Sequence, residues 1–454
     1  MASTRRSAAH QQFDGANKLR RHLKGAKYKE RKLTILEEKV GRPVKERRTN
    51  VACDKLNTNP SSTSTTRSCH EEQIEYMEKA GFDMNVVDTF RKLNLSTIED
   101  ISPETEQLWK EYNNRLPSTI TAKRCWNIDR PSDTELFTAT VDFLWKSSRT
   151  CSVIQKGEPT DQRTAMEVIA QLTYPNAFNP LKLVDLRLPM LKQECLAVPN
   201  DLVCSYASDN LQILVTPKYS VSQLHFDNAD GLSGIIGESG RKFFATFPNS
   251  TQNRKLFRKT LGKEAKLEEI GHDLEGGLIY ILTSDNVIDL PAHCFHAVVT
   301  LEGCFLATID FITPRSTKAY TQLISSELDM FIGTTRQRDL FDWFLTAFEV
   351  AWKHEHVHEA LLSWIKLSER TKQWGQEKEN GRWLKEAIEL CEEFLSSSAS
   401  LNQLCPCGTS SKESFRQHFR DCHMLTVSRK RRHITKDSEI TTSRRKRCKQ
   451  LQKP

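Results

Sequence analysis

The 454-residue sequence has no apolar run approaching the ~20 residues that a membrane span needs. Its opening stretch, MASTRRSAAHQQFDG, lacks the apolar segment of a secretory signal. Membrane-embedded and exported classes are therefore not expected. A disulfide framework is missing too. The 13 cysteines are an odd number, scattered without regular spacing along a long chain. That pattern predicts reduced thiols in the cytosol or nucleus. No internal repeat is visible. Hydrophobic residues make up only 38% of the chain, and both ends are poorer in them than the middle. A sizeable core is thus expected only in the central part.

What the ends do have is positive charge. Residues 1–70 hold 17 Lys and Arg against 6 Asp and Glu, and residues 412–454 hold 14 against 4. With a formal net charge of +8 for the whole chain, the middle is acidic, near −13. Basic arms on an acidic body suit polyanions, above all nucleic acid, because each Lys or Arg that meets a phosphate releases a counterion. Solvated, disordered tails or import signals account for the same composition.

Between the arms the hydrophobic period changes twice. From about residue 71 the pattern is helical, in EEQIEYMEKAGF, VVDTFRKLNL, DTELFTATVDFLWKSS and RTAMEVIAQLTY. Short β-rich pieces then follow, punctuated by Gly, Asn, Asp and Pro: LVCSYA, LQILVT, SVSQLHF, RKFFATF, GLIYIL, NVIDLP, HAVVTL and CFLATIDFI. A helical insert is expected at 251–270. Many short strands with turn signals argue for an antiparallel barrel or sandwich. After Pro314 the helical period returns and runs to about residue 398.

Within the β-rich stretch, His225 and Asp227 stand at i and i+2, a spacing that puts both side chains on one face of a strand. Two imidazoles and one carboxylate bound facially leave open positions on Fe(II). Seventeen residues after His225, Lys242 opens the strand RKFFATFP. A turn begun by Pro291 delivers His293 and His296 ahead of the strand AVVTL. Together with the lead-in Asn-Pro-Leu-x-x-Val-Asp-Leu at 179–186, these motifs resemble the JmjC family of Fe(II)- and 2-oxoglutarate-dependent oxygenases, over roughly residues 178–315.

That resemblance implies an α+β protein with a double-stranded β-helix core, jelly-roll and cupin-like. It implies His225, Asp227 and His296 as iron ligands, with His293 as the alternative third ligand and the turn length from Pro291 favouring His296. Lys242 matches the lysine that pairs with the distal carboxylate of 2-oxoglutarate, and its compact ammonium suits the end of a narrow pocket. Ser222 matches a hydroxyl position that contacts the same carboxylate in some members. Solvent-facing roles are the competing readings of Lys242 and Ser222. The asparagine or tyrosine that helps hold the cosubstrate in several members has no match here. The implied chemistry is demethylation of an N-methyl-lysine or hydroxylation of a side chain, by an enzyme whose hard chemistry belongs to iron and cosubstrate.

Two further motifs compete or add. Residues 354–358 read His-Glu-His-Val-His, which satisfies the H-E-x-x-H of zinc proteases. On a helix His354 and His358 would share a face with Glu355 as base; the charges at Lys353 and Glu359 favour a solvated helix face or loop instead. Near the C-terminus, Cys405, Cys407, His418 and either His423 or Cys422 resemble a short C2H2 or C2HC zinc finger with Phe415 as its small core, although C-x-C is tighter than the usual first spacing. A metal-free tail is the other reading. Arg429–Arg432 and Arg444–Arg447 then form two basic clusters like a bipartite nuclear import signal, or a nucleic-acid-binding arm beside the finger.

The expected organisation is a disordered basic tail at 1–70 and a helical region at 71–177. The β-helix domain follows at 178–315, a helical subdomain at 316–398, the finger at 403–425 and a basic tail at 426–454. The expected function is that of a nuclear, chromatin-associated dioxygenase with Fe(II) and 2-oxoglutarate. It would act on a protein substrate such as a histone tail, with Zn(II) at the finger and nucleic acid as a partner of the arms. A catalytically degenerate barrel serving a zinc-finger DNA- or chromatin-binding factor is the second reading, and the zinc protease the third.

Overall fold

The computed structural model describes residues 68–146, 152–155, 158–160, 165–191, 195–199, 206–207, 211–327, 335–375, 381–401, 403–408 and 414–424. Of the two basic ends, residues 1–67 and 425–454, with the clusters at 429–432 and 444–447, lie outside the described residues, and the first end enters the structure at its last three positions. Those three begin a helix. Ser68 caps α1 (Cys69–Lys79) in a capping box with Glu71, satisfying two backbone donors that the helix itself cannot. α2 (Met84–Arg91) is capped by Asp83, and α3 (Pro103–Tyr112) by Ser102 with proline in its first turn. Short strands β1 (Leu95–Ser96) and β2 (Ser118–Thr121) lie either side of α3. Then come α4 (Asp133–Lys146), the pair β3 (Ser152–Gln155) and β4 (Glu158–Thr160), α5 (Ala165–Thr173), β5 (Leu181–Leu186) and β6 (Tyr206–Ala207).

Eight strands follow: β7 (Gln212–Thr216), β8 (Val221–Phe226), β9 (Asp230–Ile235), β10 (Arg241–Phe247), β11 (Gly277–Leu282), β12 (Asn286–Leu290), β13 (Phe295–Glu302) and β14 (Cys304–Ile312). Between β10 and β11 the chain makes α6 (Thr251–Lys259) and α7 (Lys266–Ile270), so the helical insert read at 251–270 is two helices. One sheet has the order β1-β11-β10-β13-β8, the other β2-β12-β9-β14-β7-β5-β3-β4 with β6 beside β14. All pairings are antiparallel except β1 with β11. The fold is α+β, with two antiparallel-rich sheets. Strands β7–β14 divide four and four between them, an order consistent with a jelly-roll core.

Alternation along the strands builds three apolar layers. Phe244, Val298, Leu278 and Leu306 fill the space between the sheets. Phe243, Ala245, Val299 and Leu301 face outward and are covered by α1, α2, α6 and α7. Leu183, Val215, Ile213 and Phe311 pack beneath α4 and α5 on the other sheet. At ~25 cal/mol per Å² of apolar surface, each large side chain so covered contributes on the order of 2 kcal/mol. β9, with the sequence DGLSGI, does not read as a strand because of its glycines, yet it is central to the second sheet. Gly234 is there because a Cβ would come within 2.9 Å of Val287 and 3.5 Å of the Trp126 ring.

Beyond β14 come α8 (Ser316–Glu327), α9 (Thr335–Lys353) and α10 (Val357–Gly375). α9 ends in a Schellman motif: the His356 amide donates to the Ala351 carbonyl at 2.9 Å while Glu355 takes φ 66°. This corrects the protease reading. His354 and Glu355 are in the turn and His358 is in the next helix, so the motif does not share one helix face. The chain divides into two compact units, and α11 (Gly381–Ser396) and α12 (Phe415–Cys422) belong to the second. There Phe419, fully buried, contacts Phe394 and Phe415, and Arg420 pairs with Glu392 at 2.7 Å. The small core is therefore Phe419 on Phe394, with Phe415 only half-buried. Among the described residues no helix is long and apolar enough to cross a membrane.

Candidate metal centre

β8 pairs with β13 through an irregularity. His225 opposes His296 and Ser222 opposes Val298, so Gln223 and Leu224 together face the single residue Ala297. Such a bulge flips the side-chain alternation by one. Leu224 is thereby sent outward into the apolar layer, while Ser222 and His225, three residues apart, share the inner face. In a regular strand they would point to opposite faces.

His225, Asp227 and His296 each offer one ligand atom, and these lie within 4.8 Å of one another. The two imidazole centroids are 4.1 Å apart, and His296 Nε2 is 3.6 Å from Asp227 Oδ2. Each ring is oriented through its other nitrogen: His225 Nδ1 donates to the Gln223 carbonyl at 2.7 Å and His296 Nδ1 to the Cys294 carbonyl at 3.1 Å. A carbonyl only accepts, so Nδ1 carries the proton and Nε2 presents its lone pair. Burial, then the neighbouring His296, lowers the pKa of His225 and keeps it a neutral donor. The group could hold a divalent metal through two nitrogens and one oxygen. Asp227 is the exposed member, which leaves one side of the group open to solvent.

The rival third ligand goes elsewhere. His293 adopts φ 63° in the turn from Pro291 and is fully buried 4.8 Å from the Tyr320 ring. It is outside the group that His296 joins.

Deeper between the sheets, Lys242 is 2% exposed. It does not face water. Its ammonium donates to Thr216 Oγ1 at 2.7 Å and Thr300 Oγ1 at 2.9 Å, and burial lowers its pKa. Ser222 receives a hydrogen bond of 2.9 Å from Lys182 Nζ, a residue on β5 to which the sequence reading gave no role. Leu181 and Leu183 belong to the layer under α4 and α5, so alternation turns Lys182 to the opposite face. Burial, and secondarily Lys242, push the Lys182 pKa down to about 8. Asp310 on β14 was also missed; burial and then Asp227 push its carboxyl up to about 7. Strand periodicity alone could have flagged both residues as candidates for the inner face. Which face of β5 and β14 is the inner one depends on long-range pairing.

Near the C-terminus, Cys405, Cys407, His418 and His423 form a second group, with one ligand atom of each within 4.8 Å of the others. The cysteines lie in a turn closed by Gly408 at φ 72°. His418 is buried on α12 and His423 caps that helix. Of the two candidates for the fourth position, His423 is in the group and Cys422 is exposed outside it.

No family model matches the chain. Among curated proteins it is similar to the JmjC domain-containing histone demethylation protein 1 of Kluyveromyces lactis, 27% identical over 154 residues. The similarity covers 34% of this chain and 31% of that protein, so the chain spans about a third of its relative's length. This relationship supports a JmjC-type protein.

Proposed function

We propose that the chain is a JmjC-type Fe(II)- and 2-oxoglutarate-dependent dioxygenase built on a double-stranded β-helix at 178–315, acting on a protein substrate in chromatin. The observation that carries the reading is the conjunction of the His225, Asp227, His296 group with a buried lysine that no carboxylate neutralises among the described residues. The residues fit both implied groups. Two Nε2 atoms and one carboxylate would hold iron, and Lys242 would meet the distal carboxylate of 2-oxoglutarate, with Ser222 as a second contact. Bound there, iron and cosubstrate would supply O₂-dependent hydroxylation of a C–H bond, which removes methyl from an N-methyl-lysine or leaves an alcohol on an unmodified side chain. The chain's own work is positional: backbone carbonyls of Gln223 and Cys294 fix the imidazoles, and Thr216 and Thr300 fix the ammonium.

A histone tail as substrate and a nuclear location follow from the named relative and from the basic clusters. Cys405, Cys407, His418 and His423 would hold zinc, whose binding would fold a short finger, and the finger with the arms would contact nucleic acid. That second cluster also favours the other reading, a chromatin-binding factor whose barrel does not turn over.

The deciding experiment is succinate production from 2-oxoglutarate by the purified chain with Fe(II) and ascorbate. The expected outcome is turnover that falls to background in Asp227→Ala. A wild-type chain that binds zinc but no iron and makes no succinate would select the binding factor.

A further inference from the structure

Lys182 and Lys242 reach the inner face from different strands, and each ends on a hydroxyl, Ser222 on β8 or Thr300 on β13. Those two strands are neighbours. Ser222 opposes Val298, and Thr300 is two residues further along the same face, so the hydroxyls are diagonal neighbours across one pair of strands, ~7 Å apart at their backbones. Among the described residues neither ammonium is paired with a carboxylate; the Lys182 contact is a serine and the Lys242 contacts are threonines. Two like charges confined together without a counterion raise one another's cost, and burial raises it further. An arrangement that costs stability in the free protein is retained where a ligand of opposite charge completes it.

We propose that Lys182 is a second cation of the cosubstrate pocket, so that the distal carboxylate of a 2-oxo dicarboxylic acid is held between Lys182 and Lys242 with Ser222 between strands as a shared hydroxyl contact. The inference rests on the oxygenase reading above and adds to it a specificity-determining residue on β5. The lowered pKa of Lys182 has the sign expected of a cation still waiting for its partner. Anionic ligand in the pocket restores full protonation. Selectivity is the consequence: two ammoniums favour a dicarboxylate over a monocarboxylate of the same chain length more strongly than one does.

The test is equilibrium binding to the full chain with Mn(II) in place of Fe(II), which removes turnover from the readout. 2-Oxoglutarate and 2-oxopentanoate, the same chain without the distal carboxylate, are titrated into wild type, Lys182→Met and Lys182→Arg. In Lys182→Met the expected result is about tenfold weaker 2-oxoglutarate binding with 2-oxopentanoate unchanged, partly rescued in Lys182→Arg. The melting midpoint of ligand-free Lys182→Met is expected to stay level or rise, which a merely structural lysine would not produce. Equal affinities for 2-oxoglutarate in wild type and Lys182→Met overturn the assignment of Lys182 alone. Loss of both ligands together, or a lowered midpoint, overturns it as well by making the residue structural. A wild-type chain that does not bind 2-oxoglutarate at all overturns the oxygenase reading beneath it.

Discussion

The two-sheet body takes ionisable side chains out of water around Arg115 and around the pair Lys182 and Lys242, and treats them in opposite ways. Around Arg115 the cation has carboxylate partners. Its guanidinium donates to both oxygens of Asp289, at 2.5 and 2.7 Å, and to Asp230 at 2.9 Å, while Ser316 donates to the second oxygen of Asp230 at 2.6 Å. Burial works against the charge of Arg115, yet Asp289 and Asp230 outweigh it and raise the pKa above its ordinary value. This network ties the loop after α3 to β9, β12 and the start of α8, so its product is structure. Around Lys242 and Lys182 the cations have only hydroxyl partners among the described residues. The same physics therefore separates the two sites: desolvation is offset by carboxylates of the chain at the first and only by hydroxyls at the second, which is the opening that the proposed cosubstrate would fill.

The sharpest way to break the comparison is to remove one charge from each place. Arg115→Met strands two buried carboxylates, and the expected loss is ~3–5 kcal/mol of unfolding free energy, read by urea denaturation. Lys242→Met strands no charge, only the hydroxyls of Thr216 and Thr300. Its expected effect is a stability change within ~1 kcal/mol of wild type and a loss of 2-oxoglutarate affinity of about a hundredfold, or ~2.7 kcal/mol. If Lys242→Met unfolds the chain as Arg115→Met does, both sites are structural and the contrast fails.

The two sites also differed in how far the sequence revealed them. Lys242, His225, Asp227 and His296 were legible because each stands at a local spacing: i, i+2 on a strand, the head of an apolar strand, the end of a proline turn. Most inner strands were legible for the same reason, since RKFFATF and GLIYIL carry their own period and punctuation. β9 was not, because Gly231 and Gly234 signal a turn locally, and the need for Gly234 arises only where Val287 and Trp126 press on it. The shared face of Ser222 and His225 was not legible, because three-residue spacing denies it until the bulge at Gln223 and Leu224 restores it. Lys182 and Arg115 were invisible for one common reason: their direction is set by partners 40 to 174 residues away, and a lone Lys or Arg in a polar stretch reads as solvated.

The smallest expected effect concerns pH, and it follows from the open site alone. With its pKa lowered from 10.5 to about 8, folded Lys182 releases a proton that the unfolded chain still holds between those two values. In that window the unfolded state binds more protons, so stability rises with pH; below pH 8 both states are protonated and the slope from this residue is zero. The full shift corresponds to ~3 kcal/mol, and relaxation and water penetration should reduce it to ~1–2 kcal/mol. Other lysines titrate in the same range, so the measurement is a difference: urea unfolding of wild type and Lys182→Met at pH 7.5 and at pH 9.5, free of ligand. Wild type is expected to gain on the variant as pH rises. With saturating 2-oxoglutarate the gain should vanish, because a carboxylate beside the ammonium returns its pKa towards 10.5 and turns the open site into one resembling Arg115. A pH-independent difference in the free protein would mean that Lys182 is already solvated or paired, and the contrast between the two buried sites would then reduce to Lys242.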